Sequence, residues 1–556
     1  MWYWLASVEN GRTASKELEK LSKIMTPDQI AEAEHLVTEW ETAPVAQTQL
    51  ATYTSCEPSV ASVSPFSEGA ERDMSGTRSS TKKKIGKQEA LEMTQQARTP
   101  LHKALRLGAL AAGLVLGSAL VSQAGAWSLE EAAAPYKGTT IRTIGESLPP
   151  LEAMDKLKHK FEERTGITVV IEQYEHSEAV NKVMLDLNSR GGRYDFILQP
   201  HRELGRFVAN GHLSAIEKFM NDPKLRDPGF KPEEVLYQGL WNEISWYEGK
   251  AYGFPFTALT MYLWYRQDLL SDPKEQAGFK AKYDYDMQVP ATWDQYRDLA
   301  EWFTRPEEGF YGTAIQGKRH EALWYEWLNF LYSFGGDMME VKSGSECGPI
   351  IVNSPEAVES LDYYKSLVQY SPSDTLNYFW DDVMVAMQQA KTFEMIMWND
   401  ATYAVEDPSQ STVSGKMGFD LVPQGKGGKV GQVEGWTYLI PAYATNQEAA
   451  YLFIQWMMAF DQQLEQHQNG GASSRPDVYA HPDVQKISYS KASMDTNAVA
   501  IAKPTIPESP EITEILVLEL STALAGKKTS QQALDDAAVA MGKLLGDCAP
   551  LKYPVN

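Results

Sequence analysis

Cysteine is almost missing from this sequence: Cys56, Cys347 and Cys548 are the whole supply among 556 residues. They form no CxxC pair and no Cys/His cluster, so no metal site is expected. Only Cys347 and Cys548 lie beyond residue 126. In an oxidising compartment these two either form a disulfide or remain buried thiols. Catalytic signatures are missing as well. There is no HExxH, GxSxG or GxxxxGK[ST], and Gly425-Lys-Gly-Gly-Lys429 lacks the spacing of a phosphate loop. Carboxylates are plentiful, so counting alone leaves a glycosidase pair open, but no segment looks like a glycosidase active site. The expectation is a chain that is not an enzyme and uses no cofactor.

Basic charge is also short. The net charge is −23, and residues 1–126 contribute only −1, from 13 Lys/Arg and 14 Asp/Glu. Residues 127–556 therefore carry 38 basic and 60 acidic residues, a net of −22. Such a surface repels phosphates and anionic headgroups, which removes nucleic acid and the lipid surface as partners.

What is present starts with size. A chain of 556 residues is too long for one core, so two or more domains are expected. Aromatic residues reach 11%, with 15 Trp and 27 Tyr. Each pairs a flat apolar face with one polar group, which suits either a core or a pocket that stacks sugar rings.

Residues 93–126 read as a secretory signal peptide. Arg98, Lys103 and Arg106 form its basic start, residues 107–121 its apolar middle, and Ala124-Gly125-Ala126 its cleavage site. The apolar stretch is short and rich in Gly and Ala for a membrane span of about 20 residues. No cysteine stands at the cleavage point, so no lipid anchor is expected there. The mature protein then starts near Trp127 and is periplasmic. Because this signal is internal, Met93 fits the working start, and residues 1–92 read as a mispredicted extension or a fusion absent from the exported product. Within them, 16–41 suit two short helices and 42–92 suit disorder.

Beyond Trp127 the pattern alternates. Residues 141–144 suit a strand, and Leu151, Met154, Leu157 and Phe161 recur at helical spacing before Gly166. Residues 167–174 suit a strand, 177–189 a helix and 194–198 a third strand. This alternation implies a parallel or mixed sheet with helices on its faces. Open α/β sheets bind ligands outside the carboxyl ends of their strands, which points to Glu146 and to Gln199, His201 and Arg202.

Glu-Gly-Lys-Ala-Tyr-Gly-Phe-Pro at 248–255, Leu-Trp-Tyr-Arg-Gln-Asp-Leu-Leu at 263–270 and Val-Pro-Ala-Thr-Trp-Asp at 289–294 follow in order. Ser-Phe-Gly-Gly at 333–336, Val-Asn-Ser-Pro-Glu-Ala-Val at 352–358, Glu-Gly-Trp-Thr-Tyr-Leu-Ile-Pro at 434–441 and Gly-Gly-Ala-Ser-Ser-Arg at 470–475 continue the set. This ordered run, covering nearly all of 139–545, resembles the ABC-importer extracellular solute-binding proteins of family 1, the sugar-binding group that includes maltose-binding proteins. The resemblance implies a two-lobed periplasmic-binding-protein fold of type II, each lobe a mixed sheet flanked by helices, with a hinge between them. It implies one lobe from 127–256 and 436–500, a second from 257–435, and C-terminal helices over 501–556. It implies binding of a carbohydrate in the interlobe cleft and delivery to an ABC importer's membrane subunits, by a monomer. The rival readings are a polyamine binder, for which Glu326, Asp381, Asp382 and Asp400 supply the carboxylates, a phosphoester binder, and a secreted carbohydrate-active enzyme.

Sugars need flat aromatics for their C–H faces and fixed polar groups for their hydroxyls. The densest supply is His-Glu-Ala-Leu-Trp-Tyr-Glu-Trp-Leu-Asn at 320–329, where the resemblance directs Trp324, Tyr325 and Asn329 to the cleft. It also directs a stacking tryptophan to Trp398, beside Asp400. Trp436 next to Gly435 is a cleft aromatic beside the hinge. Trp380 and Asp381 stand at a helix start, serving either ligand or cap. Arg475 and Arg319 serve either ligand hydroxyls or surface ion pairs. Maltose-type members carry an acidic residue shortly after the first crossover proline. Here Phe-Thr-Ala-Leu-Thr-Met at 256–261 has none, so Thr257 becomes the contact and a maltodextrin pocket does not carry over.

Overall fold

In the computed structural model, residues 127–340 and 346–555 are described. The expected signal peptide and the segment before it lie outside these residues. Among the described residues, no helix is long and apolar enough to cross a membrane.

The first strand, β1 (Thr140–Glu146), is followed by helix α1 (Pro149–Thr165), strand β2 (Thr168–Tyr174) and helix α2 (His176–Ser189). Strand β3 (Ile197–Pro200) comes next. β1 and β2 pair in parallel over their full length. The apolar stripe of α1 is Leu151, Met154, Leu157 and Phe161, each at most 2% exposed. Removing such surfaces from water is what holds the helix to the sheet, at about 25 cal/mol per Å². Gly166 ends the helix at φ 71°, a left-handed value that a side chain would oppose.

The third strand begins later than its apolar pattern suggests. At 194–196 the link to β1 is made at one residue: the Asp195 amide donates to the Arg142 carbonyl at 2.8 Å, and the Arg142 amide donates to the Asp195 carboxylate at 2.9 Å. The second Asp195 oxygen accepts from the Asn446 amide at 3.0 Å, so one carboxylate fastens β1 to a distant loop.

The chain then runs through β4 (Gly253–Pro255), β5 (Leu259–Arg266), β6 (Tyr311–Thr313) and the helices α3 (Glu321–Phe334) and α4 (Trp380–Gln388). Strands β7 (Thr392–Trp398), β8 (Met417–Asp420), β9 (Gln432–Glu434) and β10 (Trp436–Leu439) follow. Short strand β11 (Ile501–Ala502) precedes the closing helices α5 (Ser509–Leu524) and α6 (Ser530–Leu545). β10 lies antiparallel between β3 and β4. In the second sheet, β5 pairs antiparallel with β7, β8 and β9, while β6 pairs in parallel with β7 and β11 with β9. β5 is buried along its whole length, as a central strand covered on both faces must be.

The molecule is thus a two-lobed α/β protein of the type II periplasmic-binding-protein fold, with the parallel β1–β2 pair and the antiparallel β3–β10–β4 sheet in one part and a six-stranded mixed sheet in the other. The chain passes between the sheets at 256–258 and at Gly435. The two passages are tied together, because the Phe256 amide donates to the Trp436 carbonyl at 2.6 Å. A Cβ on Gly435 would stand 1.9 Å from Cδ1 of Ile244, so any larger residue at this passage would have to displace that buried side chain. Cys347 and Cys548 form a disulfide across 201 residues, their Cα atoms 5.9 Å apart.

Candidate functional site

Strand ends from three sheets converge on one cavity of about 330 Å³. Glu146 comes from the carboxyl end of β1, His176 from just past β2, Pro200 from the end of β3 and Trp398 from the end of β7. Three tryptophans supply its flat walls. Trp398 closes β7, Trp436 opens β10 opposite Pro200, and Trp380 opens α4. The Trp398 ring meets Tyr325 of α3 edge-on, with centroids 5.2 Å apart. Leu259, Met384, Met397 and Phe379 fill the wall between them.

Carboxylates share this apolar setting. Asp382, not Asp381, accepts from the Phe379 amide at 3.0 Å and caps α4, which leaves Asp381 on the cavity. Asp381 stays exposed to solvent on one side, while its partial burial and then the Glu146 carboxylate shift it upward from the usual aspartate value. Asp400 follows Asn399, whose amide side chain is held by the Ala258 carbonyl and the Thr260 amide. Burial, and then Glu146, push Asp400 up to about 7.

A polar cluster lies directly behind the wall. His176 Nδ1 meets Glu146 at 2.8 Å and Nε2 meets Glu321 at 2.6 Å. Burial opposes its charge, but Glu321 and Glu146 outweigh it and raise the imidazole to about 10. The same ring stands edge-on to Trp380 and Trp436, at 5.6 and 5.9 Å between centroids. Arg202 reaches the other oxygen of Glu321 at 2.7 Å and donates to the Tyr325 hydroxyl. Burial works against the Glu321 carboxylate, yet Arg202 and His176 hold it down at about 2. His176 opens α2 and Arg202 follows β3, whereas Glu321 opens α3, so these pairs join elements that are far apart in the chain. Deeper in, Glu434 is paired with His201 at 2.7 Å and with Lys503 at 2.8 Å.

A family model described as bacterial extracellular solute-binding protein matches residues 156–491. This chain belongs to that family. One relative of the solute-binding protein, from Sinorhizobium fredii, is named a probable amino-acid ABC transporter periplasmic-binding protein. It is 24% identical over 77% of this chain and 94% of its own length. A mannitol-binding protein of Pseudomonas aeruginosa is 24% identical over 71% of this chain and 90% of its own. Among solved structures, an ABC transporter solute-binding protein of Agrobacterium radiobacter in complex with ribitol superposes with a TM-score of 0.64. That chain is 27% identical, over 73% of this chain and 99% of its own.

Of the residues singled out from sequence, the fold brings Glu146, Tyr325, Trp380, Asp381, Trp398, Asp400 and Trp436 to the cavity. The others stand elsewhere, and each has a physical reason. Arg475 is spent on Asp477, at 2.9 and 2.6 Å, and on the Met458 carbonyl. Asn329 donates to the Tyr325 carbonyl within α3 and accepts from the Gln432 amide at 3.0 Å, so it docks α3 on β9. Trp324 is 2% exposed and packs behind Tyr325. Gln199 is buried inside β3, bonded to the Leu198 carbonyl. Thr257 is fully buried in the first passage between sheets. His201 and Arg202 serve Glu434 and Glu321. Gly435 contributes backbone, not a contact group. Arg319 lines a second, more polar cavity with His320 and Glu514. Glu326, a carboxylate of the polyamine alternative, is buried between the Tyr364 hydroxyl at 2.7 Å and the Gln316 amide at 2.6 Å.

His176, Glu175 and Glu434 are cavity residues that the sequence reading passed over. For the first two a signal existed: they follow β2, and the strand-end rule used for β1 and β3 applies equally there. Glu434 carries no such mark beyond its place beside Gly435.

Proposed function

We propose that this solute-binding protein takes a carbohydrate, a sugar or a polyol, into the interlobe cavity and delivers it to the membrane subunits of an ABC importer. The observation that carries this reading is the meeting of three tryptophan faces with carboxylates at the strand ends of both lobes. Flat faces suit the C–H surfaces of such a ligand, and the carboxylates accept its hydroxyl protons. The mannitol named for one relative and the ribitol bound in another support a polyol in particular.

Binding has no covalent step in this scheme. The cavity draws on both lobes, so a ligand gains its full set of contacts only when they are closed, and binding favours closure. The importer then meets a closed complex. The lobes themselves we assign to 127–256 with 436–500 and to 257–435, with 501–556 packed as helices against them.

A thermal-shift screen of the purified protein against alditols, monosaccharides, oligosaccharides and phosphoesters tests this. A specific ligand raises the melting temperature with its occupancy. An alditol or monosaccharide should do so. A shift with phosphoesters alone overturns the reading.

A further inference from the structure

The cavity's charges do not balance. Glu146 is matched by His176, and Glu434 by His201 and Lys503. Glu175 turns back to cap α2, accepting from the Ser177 amide at 3.0 Å. Asp400 and Asp381 are different. Among the described residues neither makes an ion pair, and no lysine or arginine lines the cavity. Asp400 is only 8% exposed, so water screens it little. The one cation on the wall, His176, is already shared between Glu146 and Glu321.

A neutral ligand leaves this excess unanswered, since its hydroxyls donate hydrogen bonds to carboxylates but bring no charge. A protonated amine brings both. An ammonium group offers three donors and a full positive charge, and aromatic faces attract cations through the ring quadrupole. Trp380, Trp398 and Trp436 stand around the same space.

We propose that the ligand is a polyhydroxylated carbohydrate that carries a protonated amine, with the ammonium seated against Asp400 and Asp381. This rests on the carbohydrate reading above and names its chemical class. The upward shift of the buried Asp400 carboxyl fits the same picture: burial and the neighbouring Glu146 and Asp381 carboxylates disfavour the anion until a cation arrives.

Matched pairs test it. D-mannitol is compared with 1-amino-1-deoxy-D-mannitol, and D-glucitol with 1-amino-1-deoxy-D-glucitol, by calorimetry at pH 7, where an alkylamine is charged. Putrescine and spermidine supply amines without hydroxyls. The amino member of a pair should bind at least about tenfold more tightly, the scale of one charge-assisted hydrogen bond. Asp400→Asn and Asp381→Asn should each shrink that ratio. If the plain alditols bind as well as their amino counterparts, this inference fails and the carbohydrate reading stands. If putrescine or spermidine binds and no polyhydroxylated compound does, the carbohydrate reading fails and takes this one with it. The ranking on the unaltered protein decides the matter even if a variant does not fold.

Discussion

The wall of the cavity and the cluster behind it use the same residue type to opposite ends. In the cluster each carboxylate is matched: Glu321 by Arg202 and His176, and Glu434, which also lines the cavity, by Lys503 and His201. On the wall, Asp400 and Asp381 are not. Burying a charge is costly unless it is paired, so the matched set joins parts of the fold. The unmatched set makes no comparable contribution to the fold, which leaves it free for a ligand.

The comparison breaks first at its strongest claim. Glu434→Gln leaves Lys503 and His201 buried without their partner, and should cost about 3–5 kcal/mol of stability. Asp400→Asn removes a charge that is answered only by the backbone amides of Asp400 and Ala401 and by no ion pair, and should change stability by less than about 1 kcal/mol. Urea unfolding curves of both variants decide this; equal losses would erase the distinction between the two regions.

The second effect depends on pH. The imidazole of His176 is faced by Glu146 and Glu321, with His320 and Glu175 nearby and Trp380 and Trp436 against its ring. Its ordinary value is 6.5 and its folded value about 10, so the folded state holds the proton more tightly. The stabilisation is complete below about pH 6.5 and declines as pH rises towards 10. Between about pH 6.5 and 8 the decline amounts to at most roughly 2 kcal/mol, at 1.36 kcal/mol per unit. Asp400 and Lys503 also titrate in this window, near 7 and 8. The clean measurement is therefore the difference between the unaltered protein and His176→Gln, in which those contributions cancel. Parallel stability curves would remove His176 from the matched set.

Much of this architecture was legible in the sequence, because it rests on local rules. Leu151, Met154, Leu157 and Phe161 repeat at helical spacing, and all four are buried as that spacing requires. The strand-end rule placed Glu146 on the cavity, and the aromatic supply at 398 and 436 reached it. What sequence did not reveal is how polar side chains are shared out among neighbours far away in the chain. Arg475 and Asn329 had the chemistry of ligand contacts. The fold gives their groups to Asp477 and Met458, and to Gln432. No local pattern announces that Glu321 meets both His176 and Arg202, because both partners lie far from it in the chain and meet it only in the folded molecule.

Arg475 supplies the smallest test. Asp477 is 47% exposed on its side chain, so its pair with Arg475 lies at the rim and is screened by solvent. Asp477→Asn keeps the bond from Arg475 to the Met458 carbonyl and removes only the ionic part. Stability should fall by less than about 1 kcal/mol, and ligand affinity should stay within about twofold. A calorimetric titration on this variant checks the second figure. A tenfold change in affinity would return Arg475 to the ligand and extend the site beyond the cavity that the strand ends enclose.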